Sequence, residues 1–327
     1  MSRPLLVVLR PLGLGDFLTG VPAYRAIARR FPTHRRVLAV PRALHPLVGM
    51  TRAFDAACDV EPLTPLPREL FGADIAIDLH GKGPASHHIL LASEPRRLIA
   101  FANPEIPQSI GGARWRAGER EVRRWCRMLD EAGVPADPND LSLDAPSSSS
   151  DAKCAGDAFE GATIVHPGAA SEARRWPLER WIAVVRALQH RGHRIVLTGS
   201  ASEAHLTAVI ARATQPASTM DLGGRTDLAT LATIVARASL VLSTDTGIAH
   251  FAATFRRPSV TIFGPTSPAA WGPPATGRHH VLWAGTTGDP HATTVDSGLL
   301  QIGVDDVLEA IDRATRVSRI ERGRDGV

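Results

Sequence analysis

Residues 239–272, SLVLSTDTGIAHFAATFRRPSVTIFGPTSPAAWG, indicate the fold class of this chain. Two short apolar runs, at 240–242 and 260–263, are too short for helices and rich in Val, Leu, Ile and Phe, which is typical of buried parallel strands. The Ala-rich residues 248–255 between them predict a helix that ends before Pro258. The order strand, polar turn, helix, strand is one βαβ unit.

The turn inside this unit carries Asp245, Thr246 and Gly247. It lies at the carboxyl end of a strand and the start of a helix, where open α/β sheets collect ligands and free backbone N–H groups favour anions. The alternative is that Asp245 or Thr246 only caps the helix. Because a second polar turn, residues 264–268, leaves the next strand at the same edge, the pair of turns favours a binding site.

The composition is that of an ordinary globular protein with an excess of arginine. A length of 327 residues exceeds what one hydrophobic core usually serves, so we expect two domains, and 44% hydrophobic residues suffice for sizeable cores. The net charge is +4, Lys82 and Lys153 are the only lysines, and no basic block is interleaved with aromatic residues. Nucleic acid is therefore not an expected partner.

Cysteine usage and the lack of targeting signals indicate the cytoplasm. Cys58, Cys126 and Cys154 are odd in number and lack CxxC spacing, so neither a disulfide framework nor a zinc site is expected. The apolar run near the N-terminus is too short for a signal peptide, and no run approaches membrane-spanning length. We expect a soluble, cytoplasmic protein whose basic surface can work at the anionic inner face of a membrane.

The first half opens with the strand-like run Leu5–Leu9, a loop with Gly13 and Gly15 that ends in Asp16, and a helix over 17–31. The loop is neither a dinucleotide fingerprint, whose third glycine position holds Leu18 here, nor a P-loop, since no Gly-Lys-Ser/Thr follows. Asp16 has two interpretations: an N-cap of the helix, or a general base that projects into a cleft.

Further strands are predicted at 36–40, 75–78 and 96–101, and a helix with core-facing Trp115 and Trp125 over 114–129. The loop after the second of these strands contains His80 and Lys82 and would face the same sheet edge as Asp16. These two side chains either touch an acceptor or are simply exposed to solvent.

Residues 135–161 are rich in Asp, Pro and Ser and predict a domain boundary, placed between 150 and 151. The second half restarts the alternation of strands and helices with at least four strands, which predicts a second doubly wound domain. The expected strands are 163–166, 194–198, 240–242, 260–263 and 279–283, and the expected helices are 178–191, 204–213, 228–237, 248–255 and 304–313.

Two arginines, Arg174 and Arg175, lie between a strand end and a helix start. A planar guanidinium suits a diphosphate, and the alternative is a solvated surface pair. His279, His280 and His291 fit the spacing of no standard metal site, so no metal is predicted there.

Four sequence motifs occur in a fixed order. They are Leu-Gly-Asp at 14–16, His-Pro-Gly followed by Arg-Trp-Pro within 166–177, Asp-Thr-Gly-x-x-His at 245–250, and Phe-Gly-Pro-Thr followed by Trp-Gly-Pro within 263–273. Together they resemble the ADP-heptose:lipopolysaccharide heptosyltransferases of glycosyltransferase family 9. The resemblance extends from the N-terminus to about Pro273.

The resemblance implies the α/β GT-B fold, with two Rossmann-like doubly wound parallel-sheet domains facing a central cleft. Residues 1–150 would bind the acceptor and residues 151–327 the nucleotide-sugar donor, with the last helix packing back on the N-terminal domain. Asp16 would be the catalytic base. The implied donor-binding residues are His166, Gly168, Arg174, Arg175, Asp221, Asp245, Thr246, Gly247 and His250, and the implied acceptor-binding residues are Gly13, Gly15, His80 and Lys82.

Three of these donor residues carry a specific implied role. Arg174 stands where the family usually has a lysine on the donor phosphates, Asp221 where an acidic residue binds the adenosine ribose, and Asp245 in the turn that holds the sugar and diphosphate. The implied reaction is inverting transfer of a heptose or related sugar from an ADP-sugar to a hydroxyl, without a cofactor or essential metal.

Two alternatives remain at this stage: another two-domain nucleotide-sugar enzyme, such as a UDP-sugar transferase or epimerase, and a non-catalytic nucleotide-sugar binding protein. The segment after Trp-Gly-Pro also lacks the cysteine that many lipopolysaccharide members carry, and residues 283–288 read WAGTTG instead. The acceptor is therefore a glycan, a lipopolysaccharide core or a secondary metabolite.

Overall fold

The computed structural model describes residues 3–144, 159–214, 219–275 and 278–324, with side chains as far as residue 316. The chain divides into two compact units, Met1–Leu143 and Asp144–Val327. The predicted boundary at 150/151 and Cys154 lie outside the described residues, whereas Cys58 and Cys126 are buried free thiols.

The first unit contains a parallel five-stranded sheet with the order β3-β2-β1-β4-β5. Its strands are β1 Leu5–Leu9, β2 Arg35–Val40, β3 Ala56–Asp59, β4 Ile75–Asp78 and β5 Arg97–Ile99. Its α-helices are α1 Leu14–Thr19, α2 Val21–Arg30, α3 His45–Val48, α4 Ala85–Leu91 and α5 Glu121–Glu131, with 3₁₀ turns at Arg42–Leu44, Gly49–Thr51, Arg68–Leu70 and Pro107–Ser109.

Burial explains why the strands of this unit form where the apolar runs lie. The last four residues of β1 and of β2 are buried, as is all of β4, because helices cover both faces of a parallel sheet. Val7, Leu9, Val37, Ala76 and Leu90 belong to one hydrophobic cluster that joins three strands to α4.

Two predicted helices of the first unit differ from the structure. The helix expected over 17–31 is a pair, α1 and α2, which meet at Gly20. Pro22 lacks an N–H for the helical ladder, and the Tyr24 ring lies 2.5 Å from where a Cβ on Gly20 would be. The helix expected over 114–129 begins only at Glu121, so Trp115 lies in the preceding loop.

The second unit contains a parallel six-stranded sheet with the order β11-β10-β9-β6-β7-β8. Its strands are β6 Thr163–His166, β7 Ile195–Leu197, β8 Thr219–Asp221, β9 Leu240–Thr244, β10 Ser259–Ile262 and β11 His279–Leu282. Its α-helices are α6 Leu178–His190, α7 Ala204–Ala213, α8 Leu228–Arg237, α9 Gly247–Thr254, α10 Pro268–Trp271, α11 Ser297–Gln301 and α12 Val304–Arg324, with 3₁₀ turns at Glu172–Arg174 and Ala201–Glu203.

The last helix, α12, contributes to the core of the second unit. Val307, Ala310, Ile311 and Ala314 share a hydrophobic cluster with strands β6, β7, β9 and β10. The expectation that this helix packs back on the N-terminal domain stays a prediction. Within the described ranges, no helix is long and apolar enough to cross a membrane.

Candidate active site

Each sheet has one point where the strand order reverses, and such a point opens a crevice at the carboxyl ends of the strands. In the first sheet the reversal lies between β1 and β4, where Leu9 pairs with Asp78. In the second it lies between β6 and β9, where His166 pairs with Ser243. The residues that follow these four strands therefore form the candidate sites.

In the first unit, Asp16 lies in the first turn of α1, and Gly13 is the N-cap residue. No side-chain hydrogen bond caps this helix, so the N-cap interpretation of Asp16 is wrong. A half-buried carboxylate in the first turn still interacts favourably with the helix dipole, and it remains available for other partners. Gly13 and Gly15 have no left-handed backbone that would require glycine.

Arg10 lies directly after β1 and is fully buried, although its role was not predicted from the sequence. Its Nε donates to the Asp16 carbonyl oxygen at 2.7 Å, its Nη1 donates to the Leu79 carbonyl oxygen, and its Nη2 donates to Thr19 Oγ1 at 3.1 Å. One guanidinium thus connects the segments that follow both strands of the switch point.

The loop after β4 is held by a buried contact between an aspartate and a histidine. Asp78 Oδ1 accepts the His80 backbone N–H at 2.8 Å, and Asp78 Oδ2 lies 2.9 Å from His87 Nδ1, with both side chains fully buried. Burial alone would lower the pKa of His87, but its contacts with Asp78 and the Phe101 carbonyl oxygen raise it overall. This pair was not predicted from the sequence.

The two predicted acceptor residues of this loop differ in their surroundings. His80 is half-buried, and burial lowers its pKa, although the charges of Asp78 and Asp16 act in the opposite direction. The His80 imidazole therefore lies within the electrostatic influence of Asp16. Lys82 is exposed, and its carbonyl oxygen accepts a hydrogen bond from the Asn103 side-chain amide at 3.1 Å.

In the second unit, three strand-end turns converge on Asp245, whose side chain is buried. Thr266, in the turn after β10, hydrogen-bonds the carboxyl group, and Arg174, in the turn after β6, donates from Nη1 to the Asp245 carbonyl oxygen at 3.4 Å. Burial raises the pKa of Asp245 to about 6, and the Arg174 charge and the Thr266 bond offset only part of that effect.

The start of α9 completes this cluster. Thr246 is the N-cap residue with an extended backbone, and no side chain caps the helix, so the interpretation that Asp245 or Thr246 only caps it is wrong. The first N–H groups of α9 can therefore bind an anion. The Arg174 Nε is also buried without a hydrogen-bond partner in the described part of the chain. The Arg174 guanidinium and the start of α9 together suit an anionic group such as a phosphate.

Close approach of the Glu203 side chain explains the glycine of the His-Pro-Gly motif. Thr244 Oγ1 donates to the Gly168 carbonyl oxygen at 3.2 Å, which joins the ends of β6 and β9. A Cβ on Gly168 would lie 2.3 Å from the Glu203 side chain. His166 bonds Thr198 Oγ1 through Nδ1 at 3.0 Å, and burial lowers the His166 pKa despite the nearby Glu203 charge.

Three other predicted donor residues make contacts other than those of the Asp245 cluster. Arg175 bonds the Ala169 carbonyl oxygen and the Glu172 carboxylate, so it stabilises its own loop. Asp221 ends β8, two strands from β6, and accepts the Gly223 N–H at 2.9 Å. The His250 ring packs edge-on against Trp271 at 6.1 Å.

The family model of glycosyltransferase family 9 (heptosyltransferase) matches residues 113–297, more than half of the chain. The chain belongs to glycosyltransferase family 9. The resemblance inferred from the four motifs is thus confirmed. The family 9 match covers all nine predicted donor residues, and Asp16 lies outside it.

Relatives of this family 9 protein support the same assignment. Lipopolysaccharide heptosyltransferase 2 of Salmonella typhimurium is 30% identical over 143 residues, which are 40% of this chain and 41% of that protein. The matched segment therefore spans about two fifths of that relative's length.

Two solved structures show the fold of the family 9 protein. E. coli ADP-heptose lipopolysaccharide heptosyltransferase II has a TM-score of 0.79 at 20% identity, covering 96% of this chain and 99% of that one. E. coli heptosyltransferase WaaC, solved with ADP-2-deoxy-2-fluoro heptose, has a TM-score of 0.69 at 18% identity, covering 94% and 98%. The predicted GT-B class of two Rossmann-like units is confirmed.

Proposed function

We propose that this family 9 protein is an inverting glycosyltransferase that moves a heptose or related sugar from an ADP-sugar to an acceptor hydroxyl. The observation that carries the proposal is the cluster of Asp245, Arg174 and the uncapped start of α9 at the switch point of the second sheet. A relative solved with an ADP-heptose analogue has the same fold and supports the choice of donor.

The donor lies along the carboxyl edge of the second sheet in this proposal. Its diphosphate accepts hydrogen bonds from the first N–H groups of α9 and from Arg174, whose planar fork suits two phosphate oxygens. Asp221 ends a strand two positions from β6, about 10 Å away at the usual strand spacing. That distance suits a carboxylate that binds the ribose hydroxyls of the same nucleotide.

Asp16 is the general base of the proposed reaction. It accepts the proton of the acceptor hydroxyl while that oxygen attacks the anomeric carbon, and ADP leaves from the opposite face of the sugar. Arg174 and the α9 N-terminus stabilise the negative charge that develops on the departing diphosphate. Burial lowers the His80 pKa and favours its neutral form, which can donate one hydrogen bond to the acceptor substrate or accept one from it.

The electrostatic groups of the donor site supply the charge stabilisation that Mg²⁺ gives in other transferases, so we propose that no divalent metal is required. The acceptor is a glycan, a lipopolysaccharide core or a secondary metabolite, bound near Gly13, Gly15, His80 and Lys82. The expected cytoplasmic location, with peripheral contact at the inner membrane face, stays a prediction.

The Asp16→Asn variant tests the proposal in a transfer assay with ADP-heptose and candidate acceptors. We expect turnover to fall by about 10²-fold or more because the base is lost, while ADP-sugar affinity measured by calorimetry stays unchanged. Asp59→Asn is the matched control, since Asp59 is an exposed carboxylate at the end of β3 on the same sheet edge. Near-normal turnover of the Asp16 variant would exclude this role, and loss of activity in EDTA would contradict metal independence.

A further inference from the structure

Arg10 is the largest charged side chain that the described part of the chain buries completely. A buried guanidinium is costly unless its N–H groups find acceptors and its charge finds an opposite charge. Here the Cζ atom lies 4.6 Å from the centre of the Trp125 ring, and the Nη2 atom lies 3.9 Å from the Glu121 carboxylate. The remaining donors reach oxygen atoms on two different strand-end segments.

The buried Arg10 side chain donates hydrogen bonds to backbone oxygens of two strand-end segments. The Asp16 carbonyl oxygen receives bonds from Arg10 Nε at 2.7 Å, from Thr19 Oγ1 at 2.9 Å and from the Gly20 N–H at 3.2 Å. Arg10 Nη1 binds the Leu79 carbonyl oxygen, one residue before His80. The backbone at Asp16 is therefore fixed relative to the loop that carries His80.

We propose that Arg10 is a positioning residue that holds Asp16 and the His80 loop in one fixed arrangement, which rests on the proposed role of Asp16 as the base. The rigid planar fork of arginine is what makes this possible, because its donors point in fixed directions toward acceptors on separate segments. Lysine keeps the charge but offers one flexible ammonium, so it cannot hold both segments at once.

The variants Arg10→Lys and Arg10→Gln separate geometry from charge, and Arg36→Lys is the matched control. Arg36 lies in β2 near the opposite edge of the same sheet. Its side chain donates to the Ala28 carbonyl oxygen and forms an ion pair with Asp55. Both Arg10 variants should lose about 10²-fold in kcat, the usual effect of a displaced catalytic group, with ADP-sugar affinity and donor KM unchanged. The control should keep its kcat per folded molecule.

Two readouts without substrate keep this proposal separate from the proposed function. Hydrogen exchange of the amides of residues 17–20 should accelerate in both Arg10 variants and not in the control. The NMR titration of His80 should move to higher pH in Arg10→Gln, which removes a charge that lowers the His80 pKa, and stay near wild type in Arg10→Lys.

The outcomes are distinguishable. Wild-type kcat in Arg10→Lys, or unchanged exchange at residues 17–20, would overturn the positioning role even if the enzyme transfers heptose. A kcat loss that merely follows a smaller folded fraction would do the same. If the wild-type protein transfers no sugar but the exchange of residues 17–20 still accelerates in the variants, the structural link stands and the assigned activity is what fails.

Discussion

At the scale of single residues, Asp245 carries an electrostatic cost at a place where the second sheet forms a crevice. Its carboxyl group is buried, and one threonine hydroxyl and one arginine are the contacts that favour its charged form. Burial nevertheless dominates and raises the pKa to about 6. A carboxyl group with a strongly shifted pKa at a switch point is typical of a functional site, and such a group lowers the stability of the folded protein.

The variant Asp245→Asn should reveal this cost as a pH-dependent gain in stability. Because the folded pKa is raised from 3.8 to about 6, the folded state holds the proton more tightly, and wild-type stability falls as the pH rises through that window. Above pH 7 the variant should be more stable by about 2–3 kcal/mol, with the difference vanishing below pH 4. Urea unfolding of both proteins between pH 4 and pH 8 measures it, and equal stabilities at pH 7.5 would contradict it.

Site residues could be predicted from the sequence only where a motif fixes the chemistry. Asp245 and Arg174 were expected in one donor site, and the structure brings them into contact. Arg175 has the same side chain and a neighbouring position, yet it turns to Glu172. Arg10 could not be recognised, because an arginine among 37 basic residues looks like surface charge until the topology buries it.

At the scale of elements, the start of α8 shows how one exposed side chain stabilises a helix. Asp227 is the N-cap residue of the helix that begins at Leu228, and its Oδ1 accepts the Thr230 N–H at 2.7 Å. Hydrogen bonds from the Thr230 side chain and from the Thr230 backbone N–H hold the pKa of Asp227 below its usual range. An exposed carboxylate therefore stabilises α8 without taking part in the core.

We expect Asp227→Ala to lower the free energy of unfolding by about 1 kcal/mol at neutral pH, as for other lost N-caps. Because the folded pKa of Asp227 is depressed, the stabilisation is present above the unfolded pKa near 3.8 and lost as the pH falls through the folded pKa. Asp227→Asn is the control, since its amide oxygen still caps the helix. Denaturant titrations at neutral and acidic pH test this, and a loss in the Asn variant as large as in the Ala variant would argue against capping.

Elements without a strong local signal were missed or extended. Strand β3 reads Ala-Ala-Cys-Asp, which contains none of the β-branched or aromatic residues typical of strands. Its pairing with β2 identifies it as a strand. The helix predicted over 114–129 followed the spacing of Trp115 and Trp125, but Gly118 has a φ of 68° and interrupts the helical backbone. The Trp115 and Trp125 rings still pack together, with their centres 6.3 Å apart. The helical spacing of the two tryptophans therefore reflects a tertiary contact and not one continuous helix.

At the scale of the molecule, the alternation of strands and helices predicted two doubly wound units but not the order of their strands. The reversals between β1 and β4 and between β6 and β9 depend on pairings between residues far apart in the chain. Those reversals decide where the sites lie, because they separate the helices that flank each crevice. The strand order could not be predicted from the sequence, so the location of the sites was predicted from the family motifs instead.

Nucleotide binding should therefore appear in a defined part of the chain. We expect saturating ADP to slow hydrogen exchange at the strand ends of the second unit, in residues 166–175, 221–227 and 244–250, because phosphate and ribose oxygens engage those N–H groups. Residues 10–20 of the first unit should change much less, and UDP should protect less than ADP. Arg174→Ala should weaken the protection, whereas Arg186→Ala, which removes an exposed arginine from α6, should not. Equal protection by UDP would favour a UDP-sugar enzyme, and protection centred on residues 10–20 would place the nucleotide in the wrong unit for the proposed mechanism.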